Sequence, residues 1–361
     1  MKINGLHEHN NANIRESNIE LLRILLMFFI VLHHLIVHGL KNVGYLPYPI
    51  EELCVEKQVP LMLVNSFVVV SVNCYVVISG YFGINVNKRK FWNLFSICAF
   101  YSILHYIVFA FTSNTFNFKT FIYTFFPFSH NQGLWFVSCY IGLFCISPML
   151  NAATKYLNDK GQKDWIKVLG GLGVITIYFG YLWKNSINFD GYNLINFIFL
   201  YMIGRYLYYK KHLPSILFKR MYMMGVYIFS SLITFSIALF FLLQKGQEDY
   251  IYYWAWRYNS PFIILGAISL FLYFNTLSVK KELINYIAKS TFAVYLIHEN
   301  QHFNKLLYDW YFNTTLGMDS IMLILILLGG AVVILGSCLI IDCFRRLLFG
   351  LIRKMQNSCI V

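Results

Sequence analysis

The stretch from Ser17 to Gly39 reads SNIELLRILLMFFIVLHHLIVHG, and it combines a long apolar run with several ionisable side chains. An apolar helix of about 20 residues is long enough to cross a bilayer, so this stretch is a candidate transmembrane helix. Ionisable groups inside such a helix are costly unless they pair or face a water-filled cavity, and they therefore mark candidate functional residues. In this helix they are Glu20, Arg23, His33, His34 and His38.

The composition of the whole chain agrees with a membrane protein. Of its 361 residues 58% are hydrophobic and only 12% are charged, whereas soluble domains average about 45–50% and about 25%. These values exclude a soluble globular enzyme and a disordered chain. The apolar runs are long and continuous rather than alternating, which excludes a barrel. The sequence therefore predicts an all-α polytopic membrane protein with no nucleic-acid partner, its net charge of +13 reflecting topology.

Hydropathy predicts about ten transmembrane helices. This prediction divides the chain into a cytoplasmic N-terminal segment (1–18), a transmembrane domain (19–345) and a cytoplasmic tail (346–361). The predicted spans are 19–40, 60–82, 91–112, 134–150, 165–183, 192–209, 221–243, 259–277, 284–302 and 320–342.

The distribution of positive charge predicts the orientation. If the N-terminus is cytoplasmic, the inner segments and the adjoining inner ends of the spans hold 21 of the 29 Lys and Arg residues, the outer segments hold 7, and Arg23 lies within the first span. Cytoplasmic loops of membrane proteins are enriched in Lys and Arg. Both termini are therefore predicted to be cytoplasmic.

The ionisable residues of the first helix form a stripe. At about 100° per residue, Glu20, Arg23, His34 and His38 fall within about 60° of one another, while His33 lies about 100° away from His34. The rise from Arg23 to His34 is about 16.5 Å, so the stripe leads from the inner surface past the middle of the bilayer. A packing role satisfied by neighbouring helices is the alternative.

The eight cysteines predict neither a disulfide framework nor a metal site. None forms a CxxC pair, and most lie inside apolar runs, where cysteine acts as a small packing residue. We expect no permanently bound cofactor.

Four segments of the chain carry a recognisable set of motifs. In NIELLRILLMFFIVLHH (18–34), Arg23 and His34 are separated by ten residues. The other segments are VNCYVVISGYFG (72–83), LWFVSCYIGLFCISPMLN (134–151) and TFAVYLIHEN (291–300), with weaker echoes in FLYMIGRYLYY (199–209) and IIDCFRR (340–346). With these segments the chain resembles the acyltransferase-3 family, whose members are bacterial integral-membrane enzymes that mostly O-acetylate cell-surface glycans. Arg23 and His34 match the family's pattern of an arginine, ten residues and a histidine.

The resemblance implies an acyltransferase of the bacterial plasma membrane. Such an enzyme would move an acyl group, acetyl above all, from cytoplasmic acyl-CoA to a hydroxyl of a surface polysaccharide or its lipid-linked precursor. Its partners would be acetyl-CoA as donor substrate, the glycan, the bilayer and other membrane proteins of polysaccharide assembly. The chain carries no SGNH-type hydrolase domain, so it would be a stand-alone member. A non-catalytic glycan transporter or flippase is the alternative function.

His34 is the predicted catalytic residue, because an imidazole titrates near neutrality. It would act as general base toward the acceptor hydroxyl or as a transient acyl carrier, and the sequence leaves both open. Glu20 and Arg23 are predicted to act with it. Arg23 could also reach the donor phosphates, and an ion pair between Arg23 and Glu20 at i, i+3 is a further expectation.

Other residues are predicted to bind the two substrates. The basic run Lys88, Arg89 and Lys90 could hold CoA phosphates or serve topology alone. Asn73, Ser79, Gly80 and Tyr81 form a second polar cluster, in which Gly80 would permit a close backbone approach or a helix end. The resemblance makes Ser79 to Tyr81 a wall of the CoA portal. On the acceptor side the candidates are His38, Trp135, His298 and Glu299. Trp135 would be an interfacial anchor or a stacking surface for sugar, and the His298–Glu299 pair would touch the chemistry or be a buried hydrogen-bonded pair.

Overall fold

The computed structural model of the protein describes residues 16–39, 55–126, 134–184, 187–188, 190–210, 220–244, 249–300, 303–315 and 317–358. Throughout these ranges regular structure is helical and no strand occurs, which confirms the all-α fold class. Most of the predicted N-terminal segment 1–18 and the end of the tail lie outside these ranges.

The described residues form fifteen α-helices, α1 to α15 in chain order. Three of them continue into π-helical turns: α1 into Leu35–Gly39, α7 into Val174–Leu182 and α10 into Tyr252–Trp256. The helices are α1 Ser17–His34, α2 Val55–Val68, α3 Ser71–Phe82, α4 Lys88–Ser113, α5 Phe118–Thr124, α6 Trp135–Lys160, α7 Gln162–Gly173, α8 Leu194–Tyr209, α9 Arg220–Leu243, α10 Asp249–Ile251, α11 Pro261–Asn275, α12 Glu282–Ala288, α13 Thr291–His298, α14 Asn304–Thr315 and α15 Ser320–Ser358.

Within the described residues, eight helical segments are long and apolar enough to cross a membrane. Each overlaps one of the ten predicted spans, so a multi-pass membrane protein is confirmed. The segments are Ser17–Gly39, Glu56–Phe82, Lys88–Ser113, Trp135–Lys160, Gln162–Leu182, Arg220–Leu243, Tyr252–Asn275 and Ser320–Ile352.

The two remaining predicted spans, 192–209 and 284–302, are helical but short. The first is α8, whose 16 residues begin after Asn193, where the side chain accepts a hydrogen bond from the Asn196 N–H. The second is broken between Ala288 and Thr291 into α12 and α13. Hydropathy responds to neither the cap nor the break. The prediction of ten transmembrane helices is therefore not confirmed, and the orientation in the membrane stays a prediction.

Helix α1 lies at the centre of the bundle. It packs against α2, α3, α11, α12, α13 and α15. Its Leu22 and Leu26 are fully buried, and its N-terminus is joined to the start of α12 because the Ser17 hydroxyl accepts a hydrogen bond from the Lys281 N–H at 3.1 Å. A helix enclosed on so many sides can carry ionisable groups, because other helices rather than lipid surround them.

Helices α3 and α8 are in close backbone contact at two glycines. A Cβ atom added at Gly80 would lie 2.2 Å from the Tyr201 carbonyl oxygen, and one added at Gly204 would lie 2.3 Å from that of Val77. Small residues permit such an approach between membrane helices. The expectation that Gly80 serves close backbone contact is therefore confirmed, and the partner is α8.

Candidate active site

The last turns of α1 and α13 bring three ionisable side chains together. His34 Nδ1 lies 2.9 Å from His298 Nε2 and 3.0 Å from Glu299 Oε2. His298 is the last residue of α13 and Glu299 is its C-cap, so the end of this short helix aims both side chains at α1. The end of α13 at His298 therefore positions the site.

Hydrogen bonding assigns the protons on the two imidazoles. His298 Nδ1 lies 2.6 Å from the Val294 carbonyl oxygen. A carbonyl can only accept, so Nδ1 carries the proton and Nε2 of a neutral His298 presents its lone pair. The proton between the rings then belongs to His34 Nδ1, which donates to His298 Nε2 and Glu299 Oε2. In the neutral ring, His34 Nε2 is left as the acceptor.

Glu299 is held from two further sides. The Tyr308 hydroxyl donates to Oε2 at 2.7 Å, and His38 Nε2 lies 4.0 Å from Oε1. Tyr308 also contacts His38, with 5.5 Å between the ring centroids. The carboxylate therefore has fixed partners on α14 and on the π-helical turn after α1, which hold it beside His34.

A small cavity of about 70 Å³ opens next to His34. Met27 and Ile30 line it from the same face of α1, between the levels of Arg23 and His34. Because His34 lines the cavity while its Nδ1 is occupied by Glu299 and His298, Nε2 is the ring nitrogen available to a bound substrate.

Arg23 and Glu20 form the expected ion pair. Arg23 Nη1 lies 2.9 Å from Glu20 Oε1, with Glu20 buried and Arg23 partly exposed. The Tyr75 hydroxyl donates to the Arg23 carbonyl oxygen at 2.5 Å and also lines the cavity, so this tyrosine connects the level of Arg23 with the cavity. Glu20 is 14 residues before His34, about 21 Å along the helix axis, so the structure does not bring it to the imidazole.

The predicted donor-binding residues lie around the α3–α4 connection. Lys88, Arg89 and Lys90 form the first turn of α4 and are exposed. Ser79 donates to the Tyr75 carbonyl oxygen at 3.0 Å, while the ring of Tyr81 packs against Phe271. Their role toward a donor stays a prediction.

Asn73 is separate from these residues. It is fully buried, and its side chain donates to the Tyr258 carbonyl oxygen at 2.7 Å. The polar cluster expected from the sequence is therefore two sets: Asn73 beside Tyr258, and Ser79 to Tyr81 toward α4.

Trp135 forms a wall of the cavity that contains His34. Its ring lies 4.6 Å from the Tyr192 centroid and 5.8 Å from that of Tyr258, with the latter pair stacked. The rings of Tyr192 and Tyr258 also stack on each other at 4.5 Å. This places the first residue of α6 in an aromatic group beside the imidazole, where a sugar ring could stack.

His33 faces away from the site. It is buried, and its Nδ1 lies 2.7 Å from Asn65 Oδ1 on α2. The separation of His33 from His34 therefore follows the helical-wheel argument. Sequence reasoning missed Tyr308 and Tyr258, for which the surrounding sequence gives no signal, because each reaches the site only through tertiary packing.

The three ionisable side chains that meet at the ends of α1 and α13 could also hold a metal ion. His34, His298 and Glu299 each offer one ligand atom, and these atoms lie within 4.8 Å of one another. The hydrogen bond from His298 Nδ1 to a carbonyl is also the support that metal-bound histidines have. The expectation of no metal site stays a prediction.

The six cysteines in the described part of the chain are free thiols, namely Cys74, Cys98, Cys139, Cys145, Cys338 and Cys343.

Comparison with known proteins gives one match. A family model described as an acyltransferase domain matches residues 16–343, nearly the whole chain. It includes α1, α13 and the site between them. Neither the curated proteins nor the solved structures contain a match.

Proposed function

The chain belongs to the acyltransferase-3 family and is a membrane acyltransferase, and from this premise we propose that it transfers a short acyl group from cytoplasmic acyl-CoA to a glycan hydroxyl. The acyl group is acetyl in this proposal. The acceptor is a cell-surface polysaccharide or its lipid-linked precursor, and the membrane is the bacterial plasma membrane. The observation that carries the proposal is the contact of His34 with Glu299 and His298 beside a cavity on the Arg23 face of α1.

The arrangement suits a general base. Glu299 accepts a hydrogen bond from the His34 Nδ1–H group, which fixes the tautomer, orients the ring and stabilises the imidazolium that forms during the reaction. His34 Nε2 then takes the proton of the acceptor hydroxyl as its oxygen attacks the thioester carbonyl carbon. The carbon–sulfur bond breaks, and the thiolate of CoA receives the proton back from Nε2. The products are the O-acyl ester and CoA.

A covalent route uses the same atoms. His34 Nε2 attacks the thioester carbonyl carbon and the carbon–sulfur bond breaks, so that CoA leaves as the thiolate and the acyl group is held on a cationic imidazole. The acceptor hydroxyl then attacks the acyl carbon, the carbon–nitrogen bond breaks, and the hydroxyl proton passes by way of the released Nε2 to the CoA thiolate. Glu299 serves both routes equally, because in each the imidazole becomes cationic. Both therefore remain open within this proposal.

The cavity size supports a short acyl group. A cavity of about 70 Å³ is far smaller than the roughly 300–1,000 Å³ of clefts that enclose a whole drug-sized ligand, so it would take a small group rather than a whole substrate. Its walls include Val72, Phe292 and Tyr295, which are apolar or aromatic and would exclude water from the thioester. The CoA phosphates would stay outside this cavity, where Lys88, Arg89 and Lys90 could bind them. Arginine binds phosphate through two parallel hydrogen bonds, and lysine binds it as a point charge.

The proposal is tested by comparing the surface glycan of cells with and without this gene by NMR. We expect the O-acetyl signals to disappear with the gene and to return with the wild-type chain, but not with His34→Ala. Labelled acetyl-CoA supplied to inside-out membrane vesicles should pass its label to the glycan fraction. Unchanged O-acetylation without the gene would contradict the acceptor class, and label transfer from another acyl-CoA alone would contradict acetyl.

A further inference from the structure

A second cavity lies between α4 and α15, remote from His34. Its volume is about 420 Å³, and its walls include Asn93, Ser96 and Phe100 from α4 and Arg345, Arg346 and Gly350 from α15. The α15 wall begins at residue 345, beyond the end of the family match at 343. Nothing in the proposed reaction uses this cavity.

The cavity carries an excess of positive charge. The buried carboxylate of Asp342 contacts two guanidinium groups: its Oδ1 accepts from Arg345 Nε at 2.7 Å, and its Oδ2 lies 3.5 Å from Arg346 Nε. Tyr101 donates a further hydrogen bond to Oδ1 at 2.8 Å. One carboxylate thus balances one of two cations, and the second is left to attract an anion.

Arg346 forms the longer of the two ion pairs with Asp342, at 3.5 Å against 2.7 Å for Arg345. Its guanidinium stacks on the ring of Tyr286 at 4.4 Å, and its Nη1 donates to the Tyr286 carbonyl oxygen at 3.3 Å. This contact with α12 fixes the guanidinium at the cavity. An arginine fixed in this way is suited to phosphate, because little side-chain freedom is lost when the anion binds.

The cavity lies at the level of a membrane surface. Asn93 is five residues after Lys88, about 7.5 Å along α4, so the cavity adjoins the helix end that carries Lys88, Arg89 and Lys90. Trp92, one residue before Asn93, is 58% exposed, and exposed tryptophan is typical of the bilayer interface. The ring of Phe100 lies 5.7 Å from that of Phe349, and the two rings give the cavity an apolar floor.

We propose that this cavity binds an anionic phospholipid, with the phosphate on Arg346 and the first part of the acyl chains against Phe100 and Phe349. The combination of a cationic rim and an apolar floor matches an amphipathic anion. Basic pockets between transmembrane helices are suited to anionic lipid headgroups for this reason. A free phosphate ester such as CoA shares the charge but has no use for the apolar floor.

Gly350 allows a test that removes no existing contact. A Cβ atom added at Gly350 meets nothing within 4 Å, and the same is true of Gly336 on α15, which does not line the cavity. Gly350→Leu therefore fills the cavity, and Gly336→Leu is its matched control. Arg346→Gln removes the phosphate ligand while leaving Arg345 to pair with Asp342.

The measurement is native mass spectrometry of the full-length protein, titrated with phosphatidylglycerol or phosphatidylcholine. We expect the wild type and Gly336→Leu to retain phosphatidylglycerol in preference to phosphatidylcholine. The affinity for phosphatidylglycerol should fall at least about tenfold in Arg346→Gln, as expected for the loss of a charge-assisted hydrogen bond. Gly350→Leu should lower it at least as much, because its side chain occupies the cavity. Wild-type retention of phosphatidylglycerol by Gly350→Leu would overturn the proposal.

A second arm distinguishes the lipid from a soluble phosphate ester. Acetyl-CoA binding is measured on the same variants by isothermal titration. We expect Gly350→Leu to bind acetyl-CoA as the wild type does. If Gly350→Leu loses acetyl-CoA affinity and keeps phosphatidylglycerol, the cavity is a nucleotide site and the lipid proposal is wrong. This inference rests on neither His34 nor the acceptor, so its failure leaves the proposed function untouched.

Discussion

At the scale of single residues, the function of His34 depends on the side chain that holds its second nitrogen. Glu299 Oε2 lies 3.0 Å from His34 Nδ1 and also accepts from the Tyr308 hydroxyl. Tyr308 contacts Glu299 rather than the imidazole, so it is a positioning residue. The two roles make different predictions for substitution.

Glu299→Gln should lower the rate of acyl transfer by about 10²–10⁴ with little change in KM for the donor. The amide can present the wrong hydrogen-bonding group to His34 Nδ1 and no longer stabilises the imidazolium. The measurement is acetyl transferred per unit of membrane-inserted protein as a function of acetyl-CoA concentration. A rise in KM at constant kcat would instead make Glu299 a donor-binding residue.

Tyr308→Phe should lower kcat by about tenfold, the loss expected for one hydrogen bond to a charged group. Tyr311→Phe is the matched control, because the buried Tyr311 hydroxyl has no hydrogen-bond partner among the described residues. Both variants leave the ring in place on α14. Equal kcat values for the two would contradict a positioning role for Tyr308.

At the scale of helices, local pattern predicts faces well and ends poorly. The 100° periodicity of α1 correctly separates His34 from His33, and the Arg23–Glu20 pair follows from i, i+3 spacing. The break between α12 and α13 falls at Lys289 and Ser290, and hydropathy averaged over 284–302 does not respond to two polar residues within a longer apolar run. The end of α13 at His298 is seen only in the structure, where α13 packs against α1 and α15.

The contact between α3 and α8 predicts a large effect for a single methyl group. Gly80→Ala should destabilise the protein by about 1–3 kcal/mol, the usual cost of overpacking, because its Cβ would lie 2.2 Å from a backbone oxygen. Gly225→Ala on α9 is the control, since a Cβ there meets nothing within 4 Å. Thermal unfolding in detergent measures both, and equal melting temperatures would contradict the close contact.

The first turn of α4 is the element predicted to bind the donor. Replacing Lys88, Arg89 and Lys90 together by Gln should raise KM for acetyl-CoA with kcat nearly unchanged, because phosphate contacts are made equally in the ground and transition states. The membrane insertion of the variant must be verified, since the same positive charges also help to set the orientation of the chain in the membrane. An unchanged KM in a correctly inserted variant would assign this run to topology alone.

At the scale of the whole molecule, composition and charge predict the class of protein more securely than its site. A hydrophobic content of 58% predicts the helical bundle, and eight spanning segments confirm it within the described residues. The site could be predicted only in part. His34 lies in a recognisable pattern, but its contact with His298 and Glu299 joins residues more than 260 positions apart, and Tyr308 has no sequence signal at all.

The orientation of the molecule is the remaining whole-chain prediction. A reporter fused after Lys163 should be cytoplasmic and one near Asn117 external, because 21 of the 29 Lys and Arg residues lie on the predicted inner segments or the adjoining inner ends of the spans, and inner loops are enriched in these residues. Protease protection and periplasmic reporter activity measure this. The reverse result at both sites would place Lys88, Arg89 and Lys90 on the outer face and contradict the proposal that acyl-CoA binds from the cytoplasm.

The central claim is that His34 carries the chemistry and His33 does not. The measurement that tests it most directly is acetyl transferred per unit of inserted protein for His34→Ala and for its neighbour His33→Ala. We expect His34→Ala to lose about 10²–10⁴ in rate with normal insertion. His33→Ala should keep most of its activity but lose about 1–3 kcal/mol of stability, because Asn65 is left buried without this partner. An active His34→Ala enzyme would contradict the claim.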